Sequence, residues 1–592
     1  MKRTEIAEKY KWDTSLVLEN DQKFYQIIKE LDAEIKEFAS FEGKLNTAEN
    51  ILLYFKKLTA FDKKDARAYL YAMLNQSVDG SNPEYAKQYD TIKALNVRFT
   101  TAIAFVDPEL AKLSDEFLDD LIKDKRFVDY DRVLLNIKKQ KKHTLSKQEE
   151  TLMAGIGNFA GFSSTFRNLD DIEIKFKKAT DKNGKRYHLD NASYGTLIRS
   201  QDEKLRKTTH INLHKGFSNF NLTISQNYIN QLKYSDFCSK SYKYKSKFDS
   251  ALFNEEIDKS IYENLIESVH GAFPLFYRFA DAKRRLLNQK EMNIYDFYVS
   301  PFSETDFQLE YDEAIKLVIE AVKPLGEDYQ QIVKKAVENR WIDVYPTVAK
   351  RGGAYSVSCG TGNPFVLLNY GKTFNDIQTI AHELGHAMHS YYSEQKQPYP
   401  KQDYVIFVAE VASTVNEILL CMHVLNNTKE ENVKKLIINN LLQDFYSTIF
   451  RQTMFAEFEY KMHNAVNKNK IITFKDLNNT YSKLQKQYFG KDVKIHKYAK
   501  YEWSRIPHFY TPFYVYKYAT GFISAVAIVQ NIIKYGDNYA AKYKEFLSSG
   551  CATDPVNLLK IADIDISDPK TFNNAFSFYE ELLNQYEDFC KE

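Results

Sequence analysis

Two histidines and a glutamate within residues 373–392 have a spacing that brings their side chains together on a helix. They are His382, Glu383 and His386, in the pattern H-E-x-x-H. Residues four apart lie on one face of a helix, so both imidazoles can bind one metal ion. Glu383 lies beside the first ligand, where its carboxylate can reach a metal-bound water. The alternative is an amphipathic helix with two unrelated surface histidines, and the pattern alone leaves it open.

A third candidate ligand, Glu410, lies in the apolar helical segment 408–417. A carboxylate in apolar surroundings needs a partner, because burying it alone is costly. A metal ion would be such a partner. Glu417 lies two turns further on the same face, where it could hydrogen-bond a ligating histidine. An ordinary exposed helix acid explains Glu417 equally well.

Two imidazoles and one carboxylate form a ligand set that suits zinc, with a water in the fourth position. Such a water can attack a carbonyl while Glu383 takes its proton as general base. The resulting oxyanion needs further hydrogen-bond donors. Segment 505–518 offers His508 and several tyrosines, although a chain with 42 Tyr and 41 Phe also places such rings in its core.

Composition predicts a large, mostly helical globular protein. The chain has 592 residues, of which 27% are charged and 15% aromatic, and this mixture excludes a disordered chain. Lys and Arg total 81 against 79 for Asp and Glu, so no positive excess is present for binding nucleic acid. Only 13 Pro and 20 Gly are present, which favours long helices.

Cysteine usage and the length of apolar runs predict a cytoplasmic protein without a membrane span. The five cysteines are scattered and form no C-x-x-C pair, so neither a disulfide scaffold nor a thiolate zinc site is indicated. The first residues lack the apolar core of a signal peptide. The longest apolar run, 522–529, is far shorter than the roughly 20 residues of a membrane span.

Most of the chain has helical periodicity, so we expect helices to position the candidate residues. Two short segments break this pattern. Residues 354–359 alternate in polarity, residues 364–370 are apolar and aromatic, and glycines at 360 and 362 lie between them. This pattern predicts a β-hairpin or two adjacent strands. Gly385 within the H-E-x-x-H helix costs roughly 1 kcal/mol relative to Ala, which indicates that another element passes close by.

The chain resembles oligoendopeptidase F, of the thimet-oligopeptidase-like zinc metallopeptidases. The segments that carry the resemblance are GAYSVSCGTGNPFVLLNYGKTFNDIQTIAHELGHAMHS, DYVIFVAEVASTVNE and RIPHFYTPFYVYKYATGF. Agreement in RTEIAEKYKWD and LDNASYGTLIRSQDEKLRK extends it over essentially the whole chain. The resemblance implies one zinc ion per chain, held by His382, His386 and Glu410, with Glu383 as general base.

The resemblance also implies a role for His508 as a donor to the oxyanion or the substrate. Among the nearby tyrosines, Tyr514 is the first choice and Tyr516 the second for a donor that acts together with His508. The implied fold is mainly α and zincin-like, with two helical halves enclosing a deep substrate channel and a small β-sheet at the active-site edge. Residues 1–200 are predicted to form an N-terminal helical domain in the channel wall, and residues 201–592 the catalytic domain.

The sequence therefore predicts a zinc endopeptidase for short unstructured peptides, with neither nucleic acid nor a membrane as partner. An extended peptide could pair with an exposed strand edge at 354–359. The nearest alternative is a zinc carboxypeptidase or dipeptidyl carboxypeptidase of related fold, which needs a cation for the substrate's terminal carboxylate. No basic residue can be assigned that role. A second alternative is a non-catalytic peptide-binding protein.

Overall fold

The computed structural model describes residues 2–157, 159–303 and 307–591. The chain forms two compact units. The first consists of Met1–Lys147, Gln308–His423 and Ile528–Ile564, and the second of Gln148–Phe307, Val424–Ala527 and Asp565–Glu592. The predicted mainly α class is confirmed. The predicted domain boundary at residue 200 stays a prediction.

Helices form most of the described chain. In chain order they are α1 (Asp21–Ala39), α2 (Ala48–Val78), α3 (Pro83–Ala102), α4 (Val106–Leu110), α5 (Asp115–Lys123), α6 (Asp131–Gln140), α7 (Lys147–Gly157), α8 (Phe162–Arg167), α9 (Asn191–Ile198), α10 (Glu203–Asn219), α11 (Asn221–Ser241), α12 (Lys247–Glu255), α13 (Lys259–Gly271), α14 (Phe273–Leu286), α15 (Tyr311–Ala321), α16 (Glu327–Glu338), α17 (Phe374–Lys396), α18 (Ile406–Asn427), α19 (Glu431–Asp444), α20 (Arg451–Asn467), α21 (Phe474–Phe489), α22 (Tyr516–Tyr535), α23 (Asp537–Leu547), α24 (Pro555–Ile561) and α25 (Pro569–Asp588).

Short strands form three small sheets in the described residues. The strands are β1 (Ala179–Thr180), β2 (Arg186–Tyr187), β3 (Met292–Asn293), β4 (Ile342–Asp343), β5 (Tyr355–Val357), β6 (Phe365–Leu367) and β7 (Val493–Lys494). β1 pairs with β2 antiparallel, and β3 pairs with β7 parallel. The third sheet has the order β4-β6-β5, in which β4 and β6 are parallel.

The predicted hairpin is confirmed as the antiparallel pair β5–β6, with Val357 opposite Phe365. The turn between the strands needs glycine, since Gly360 and Gly362 have φ angles of +78° and +70°. These angles lie in the left-handed region, which other residues adopt only at a cost. β5 is therefore an edge strand that is fixed at its end by a tight turn.

The core of the first unit connects this sheet to α1–α3. Phe61 and Phe99 stack with ring centroids 4.0 Å apart, and Phe38 meets both rings edge-on. Phe365 and Leu367 of β6 belong to the same buried cluster. The central strand of the sheet is thus held by helical packing within its own unit.

The second unit has its own aromatic core. Phe276 of α14 stacks against Phe297, Tyr446 and Phe450, with centroids between 4.8 and 5.4 Å apart. Large buried rings contribute much apolar area and prefer such offset geometries. The abundance of Phe and Tyr in this sequence is therefore explained in part by packing.

α18 is the one helix of the described residues that has the length and apolar composition needed to cross a membrane. Of its most apolar stretch, 67% is buried inside the protein. The core helix of a folded protein meets the same criterion, so this finding is weak evidence for a membrane span.

Candidate metal centre

α17 presents the H-E-x-x-H residues of the first unit. The helix begins with a capping box, in which Thr373 accepts a hydrogen bond from the Asp376 amide and Asp376 accepts one from the Thr373 amide. The rings of His382 and His386 follow on one face, with centroids 4.9 Å apart and planes at 82°. The predicted pairing of the two imidazoles on one helix is thus present.

Gly385 brings α17 into contact with α18. A Cβ atom at this position would lie 2.5 Å from the Ala412 carbonyl oxygen and 2.5 Å from Ser413 Cα. No side chain fits there without moving backbone. The prediction that another element passes close to this glycine is confirmed.

This contact places Glu410 of α18 against both histidines. Glu410 Oε2 lies 3.6 Å from His382 Nε2 and 3.5 Å from His386 Nε2. Ser413 Oγ donates a hydrogen bond to the same oxygen at 3.2 Å. The three ligand atoms lie within 4.8 Å of one another, which fits a single metal ion among them. The side chains keep between 19% and 29% of their surface exposed, so a substrate group could reach such an ion.

Glu417 approaches His382 from the other side of its ring. Its Oε1 lies 3.2 Å from His382 Nδ1. Burial lowers the pKa of His382, but the charge and hydrogen bond of Glu417, together with the charges of Glu383 and Glu410, raise that pKa to about 9. For Glu410, burial raises the pKa, whereas the hydrogen bond and charge of His386 bring it down to about 2. The centre is therefore an environment that favours a cation.

Glu383 lies on the same helix but outside the ligand set. Its side chain is buried, and burial raises its pKa, against the opposing effect of the two histidines. A carboxylate with a raised pKa can accept a proton and return it near neutral pH. This position suits the predicted base.

A second group of predicted residues lies in the second unit, around His508. This residue belongs to the short helical turn Pro507–Tyr510, and burial lowers its pKa. Its Nε2 lies 3.3 Å from the Tyr518 hydroxyl, and its ring centroid lies 6.0 Å from that of Tyr514. Tyr514 and Tyr518 are in turn 5.3 Å apart. The structure thus brings His508 together with Tyr514 and adds Tyr518, which was not among the chosen tyrosines.

Tyr516 occupies a different environment. It is 1% exposed, its hydroxyl lies 3.5 Å from Glu255, and its ring packs against Tyr262. This position favours packing over contact with a substrate. The donor role of Tyr516 stays a prediction.

Sequence reasoning missed Glu394, which holds the glycine turn after β5. Its carboxylate accepts hydrogen bonds from the Gly360 amide at 2.9 Å and the Gly362 amide at 2.8 Å, and from Ser358 Oγ. Because Glu394 belongs to α17, one helix carries the histidines and also fixes the edge strand. The signal that the sequence offered for this role was an acidic residue near the C-terminal end of that helix.

Glu459 of α20 was also missed. It accepts a hydrogen bond from the Phe513 amide at 2.9 Å, and Phe513 has a left-handed φ of +62°. The contact holds the chain immediately before Tyr514. No pattern marks Glu459 in the sequence, because its partner is a backbone amide 54 residues away.

Two family models match the chain. One, described as Peptidase family M3, matches residues 196–578, and one described as Oligopeptidase F matches residues 109–176. The chain belongs to peptidase family M3. As an M3 peptidase it is a metalloendopeptidase, and a metal cofactor is implied.

M3 relatives match over nearly the whole chain. Oligopeptidase PepF of Bacillus subtilis is 34% identical over 99% of this chain and 88% of its own length. The oligoendopeptidase F homolog of Lactococcus lactis is 31% identical over 99% and 98% of the two chains. The crystal structure of oligoendopeptidase-F from Enterococcus faecium is 29% identical, covers 96% of this chain and 99% of its own, and has a TM-score of 0.74.

Proposed function

We propose that the chain is a zinc endopeptidase that hydrolyses short unstructured oligopeptides, with His382, His386 and Glu410 as zinc ligands and Glu383 as general base. The observation that carries the proposal is the convergence of the three ligand atoms within 4.8 Å of one another, beside a buried Glu383. M3 membership and relatives named oligopeptidases support the substrate class.

The donor set fits zinc rather than magnesium or calcium. Those hard cations prefer all-oxygen ligands, whereas two imidazoles with one carboxylate suit zinc and leave a position open. Zinc bound there would lower the pKa of water and polarise the scissile carbonyl. Glu417 would accept the Nδ1–H of His382 and so keep Nε2 free as the ligand atom.

Glu383 moves the proton in this proposal. Its carboxylate accepts a proton from the attacking water and returns it to the leaving amine. Burial of the side chain favours its protonated form, so the proton is held between the two steps.

The negative charge that develops on the carbonyl oxygen also needs hydrogen-bond donors from neutral side chains. We assign that role to His508 and Tyr514, with Tyr516 retained from the sequence prediction. The lowered pKa of His508 keeps its imidazole neutral at pH 7, so it can donate without carrying a charge.

The free edge of β5 is the proposed docking strand for the peptide backbone. In the order β4-β6-β5, only one side of β5 is paired within the sheet. Backbone pairing of this kind selects extended peptides and reads few side chains. The turn held by Glu394 would keep the strand in place.

We also propose a cytoplasmic location and a division into residues 1–200 and 201–592. All five cysteines are free, as is usual in a reducing compartment. The M3 match at 196–578 supports the catalytic domain. Cell fractionation tests the first statement, and expression of residues 201–592 alone tests the second.

The test of the proposed function compares wild type, Glu383→Gln and the exposed control His188→Gln on a peptide blocked at both ends. Cleavage by wild type and by the control is expected, whereas Glu383→Gln should lose about 10²–10⁴-fold in kcat with its zinc retained. An enzyme that needs a free carboxylate would leave the blocked peptide intact. Full activity in Glu383→Gln would contradict the assigned base.

A further inference from the structure

Three histidines converge inside the second unit, in residues that take no part in the proposed catalytic site. His210 and His214 lie one turn apart on α10, and His496 follows β7. His210 and His214 are 1% and 0% exposed, and one ring nitrogen of each of the three lies within 4.8 Å of the others. The ring centroids of the helical pair are 4.2 Å apart.

The hydrogen bonds of this cluster leave a lone pair of His214 without a partner. His214 Nδ1 donates to the His210 carbonyl oxygen at 2.7 Å, which leaves the lone pair on His214 Nε2. That Nε2 is buried and has no hydrogen-bond partner among the described residues. His210 Nε2 has none either, but it carries the ring proton, because His210 Nδ1 accepts from His496 Nε2. A buried polar atom without a partner normally costs about 1–3 kcal/mol, so a missing ligand is indicated.

We propose that His210, His214 and His496 bind a second divalent transition-metal ion, preferably zinc, as a structural site. Three imidazoles suit Zn²⁺, Co²⁺, Ni²⁺ and Cu²⁺ and exclude Mg²⁺ and Ca²⁺. Because two of the three ligands are buried, the ion would stabilise the fold of this unit rather than meet a substrate. His214 is already oriented as a ligand, since the main chain holds its other nitrogen.

Binding requires a small rearrangement of His210 and His496. His210 Nδ1 and His496 Nε2 lie 2.6 Å apart, as hydrogen-bonded atoms do. Two nitrogens bound tetrahedrally to one zinc are about 3.3 Å apart, so the rings must separate by less than about 1 Å. The Tyr498 amide donates to His496 Nδ1 at 3.2 Å, which places the shared proton on His496 Nε2. That proton must leave Nε2 when the metal binds there.

The charges around the cluster are mostly positive, so they do not attract a cation. Glu502 is a buried carboxylate near His214, but it is paired with Arg451 at 2.6 Å. Arg505 and Lys207 add positive charges. Burial lowers the pKa of His214 to about 3, so its lone pair is available at pH 7. Coordination, rather than charge, must therefore supply the binding energy.

His463 provides a matched control in the same unit. It is also buried, its Nε2 also lacks a partner among the described residues, and burial lowers its pKa to about 3. Among the described residues it belongs to neither of the two groups that could hold a metal ion. His463→Gln therefore removes a buried imidazole without removing a cluster.

The experiment counts metal ions in the full-length chain after zinc loading and dialysis. About two ions per chain are expected for wild type, one for His382→Ala, and none when His214→Gln is added, because each site needs its full ligand set. His382→Ala with His463→Gln should keep one ion. In the His382→Ala chain, Co²⁺ should give the visible absorption of a four-coordinate ion, and zinc should raise the Tm.

The outcomes separate this site from the catalytic one. If the His382→Ala chain binds no ion, or if its ion survives both His214→Gln and His496→Gln, the proposal is overturned. His496→Gln, at the partly exposed ligand, decides the question if His214→Gln does not fold by circular dichroism. A chain that loses an ion with His214→Gln but none with His382→Ala would overturn the catalytic assignment and leave this one standing.

Discussion

The two histidine clusters share a spacing and differ in their surroundings. In the first unit, His382 and His386 lie one turn apart on α17, and in the second unit His210 and His214 do so on α10. Burial lowers the pKa of His382, but Glu417, Glu383 and Glu410 together raise it to about 9. In the second cluster burial prevails, and the pKa of His214 is about 3.

This difference shows that spacing alone does not decide what a histidine pair does. Spacing brings two nitrogens to one point in both units. Carboxylates and an exposed face then make the first cluster suitable for catalysis, because a cation is favoured and a substrate can reach it. The second cluster has neutral ligands, and its two histidines on α10 are buried, which suits a structural ion.

The largest expected effect separates the two clusters by their function. His386→Ala should lower kcat/KM by about 10³-fold or more, since a catalytic metal supplies several kcal/mol of transition-state stabilisation. His214→Ala should instead lower the Tm, because it removes a buried side chain and a ligand of the proposed structural ion. Peptide hydrolysis and thermal unfolding of both variants test this contrast.

His188→Gln, at an exposed position, is the control for both measurements. A His386→Ala enzyme with wild-type turnover would remove the distinction between the clusters.

Each histidine helix also contains a glycine, and the two glycines should differ in their tolerance of a methyl group. Gly385→Ala is expected to cost about 1–3 kcal/mol, because its Cβ would meet the backbone of α18 at 2.5 Å. Gly216→Ala would meet the ring of Phe176, a partly exposed side chain that can rotate away. It should cost less, and the helix gains up to about 1 kcal/mol of propensity. Denaturant unfolding measures both, and equal losses would contradict this explanation.

Local sequence patterns predicted much of the first cluster. The i, i+4 spacing predicted the histidine pair, the cost of Gly385 predicted the close approach of α18, and apolar company marked Glu410. Scarce Pro and Gly predicted the helical class. These inferences depend on neighbours in sequence or on one helical turn, which explains their success.

Contacts between distant segments could not be predicted in this way. His496 lies 286 residues from His210, and nothing in the sequence pairs them. Glu459 acts on a backbone amide, which leaves no side-chain pattern to find. Tyr518, two positions after Tyr516, contacts His508, and nothing in the aromatic segment distinguishes the two tyrosines. The interleaved segments of the two units likewise depend on packing over long separations.

A third prediction concerns what holds each metal ligand in its tautomer. In Glu417→Gln an acceptor for His382 Nδ1–H remains but its negative charge is lost, so zinc affinity at the catalytic site should fall about tenfold. Competition with a chelator in the His214→Gln background measures this affinity alone. In the second cluster the corresponding acceptor is the His210 main-chain carbonyl, which no substitution removes. Unchanged affinity would show that Glu417 does not orient His382.

The smallest expected effect concerns His463, which is buried but does not belong to a histidine cluster, and it is measured through the pH dependence of stability. Burial lowers the pKa of His463 to about 3 in the folded chain, while the unfolded chain keeps a value near 6.5. The unfolded state therefore binds more protons below pH 6.5, and the stability contributed by neutral His463 is lost as the pH falls toward 3. Between pH 6.5 and 5.5 this loss is about 1 kcal/mol.

His463→Gln cannot titrate, so its free energy of unfolding should fall less than that of wild type over this interval. Denaturant unfolding of the metal-free chains at both pH values measures the difference. Parallel losses in the two chains would show that His463 is protonated in the folded state, and burial alone would then not account for the neutral imidazoles of the second cluster.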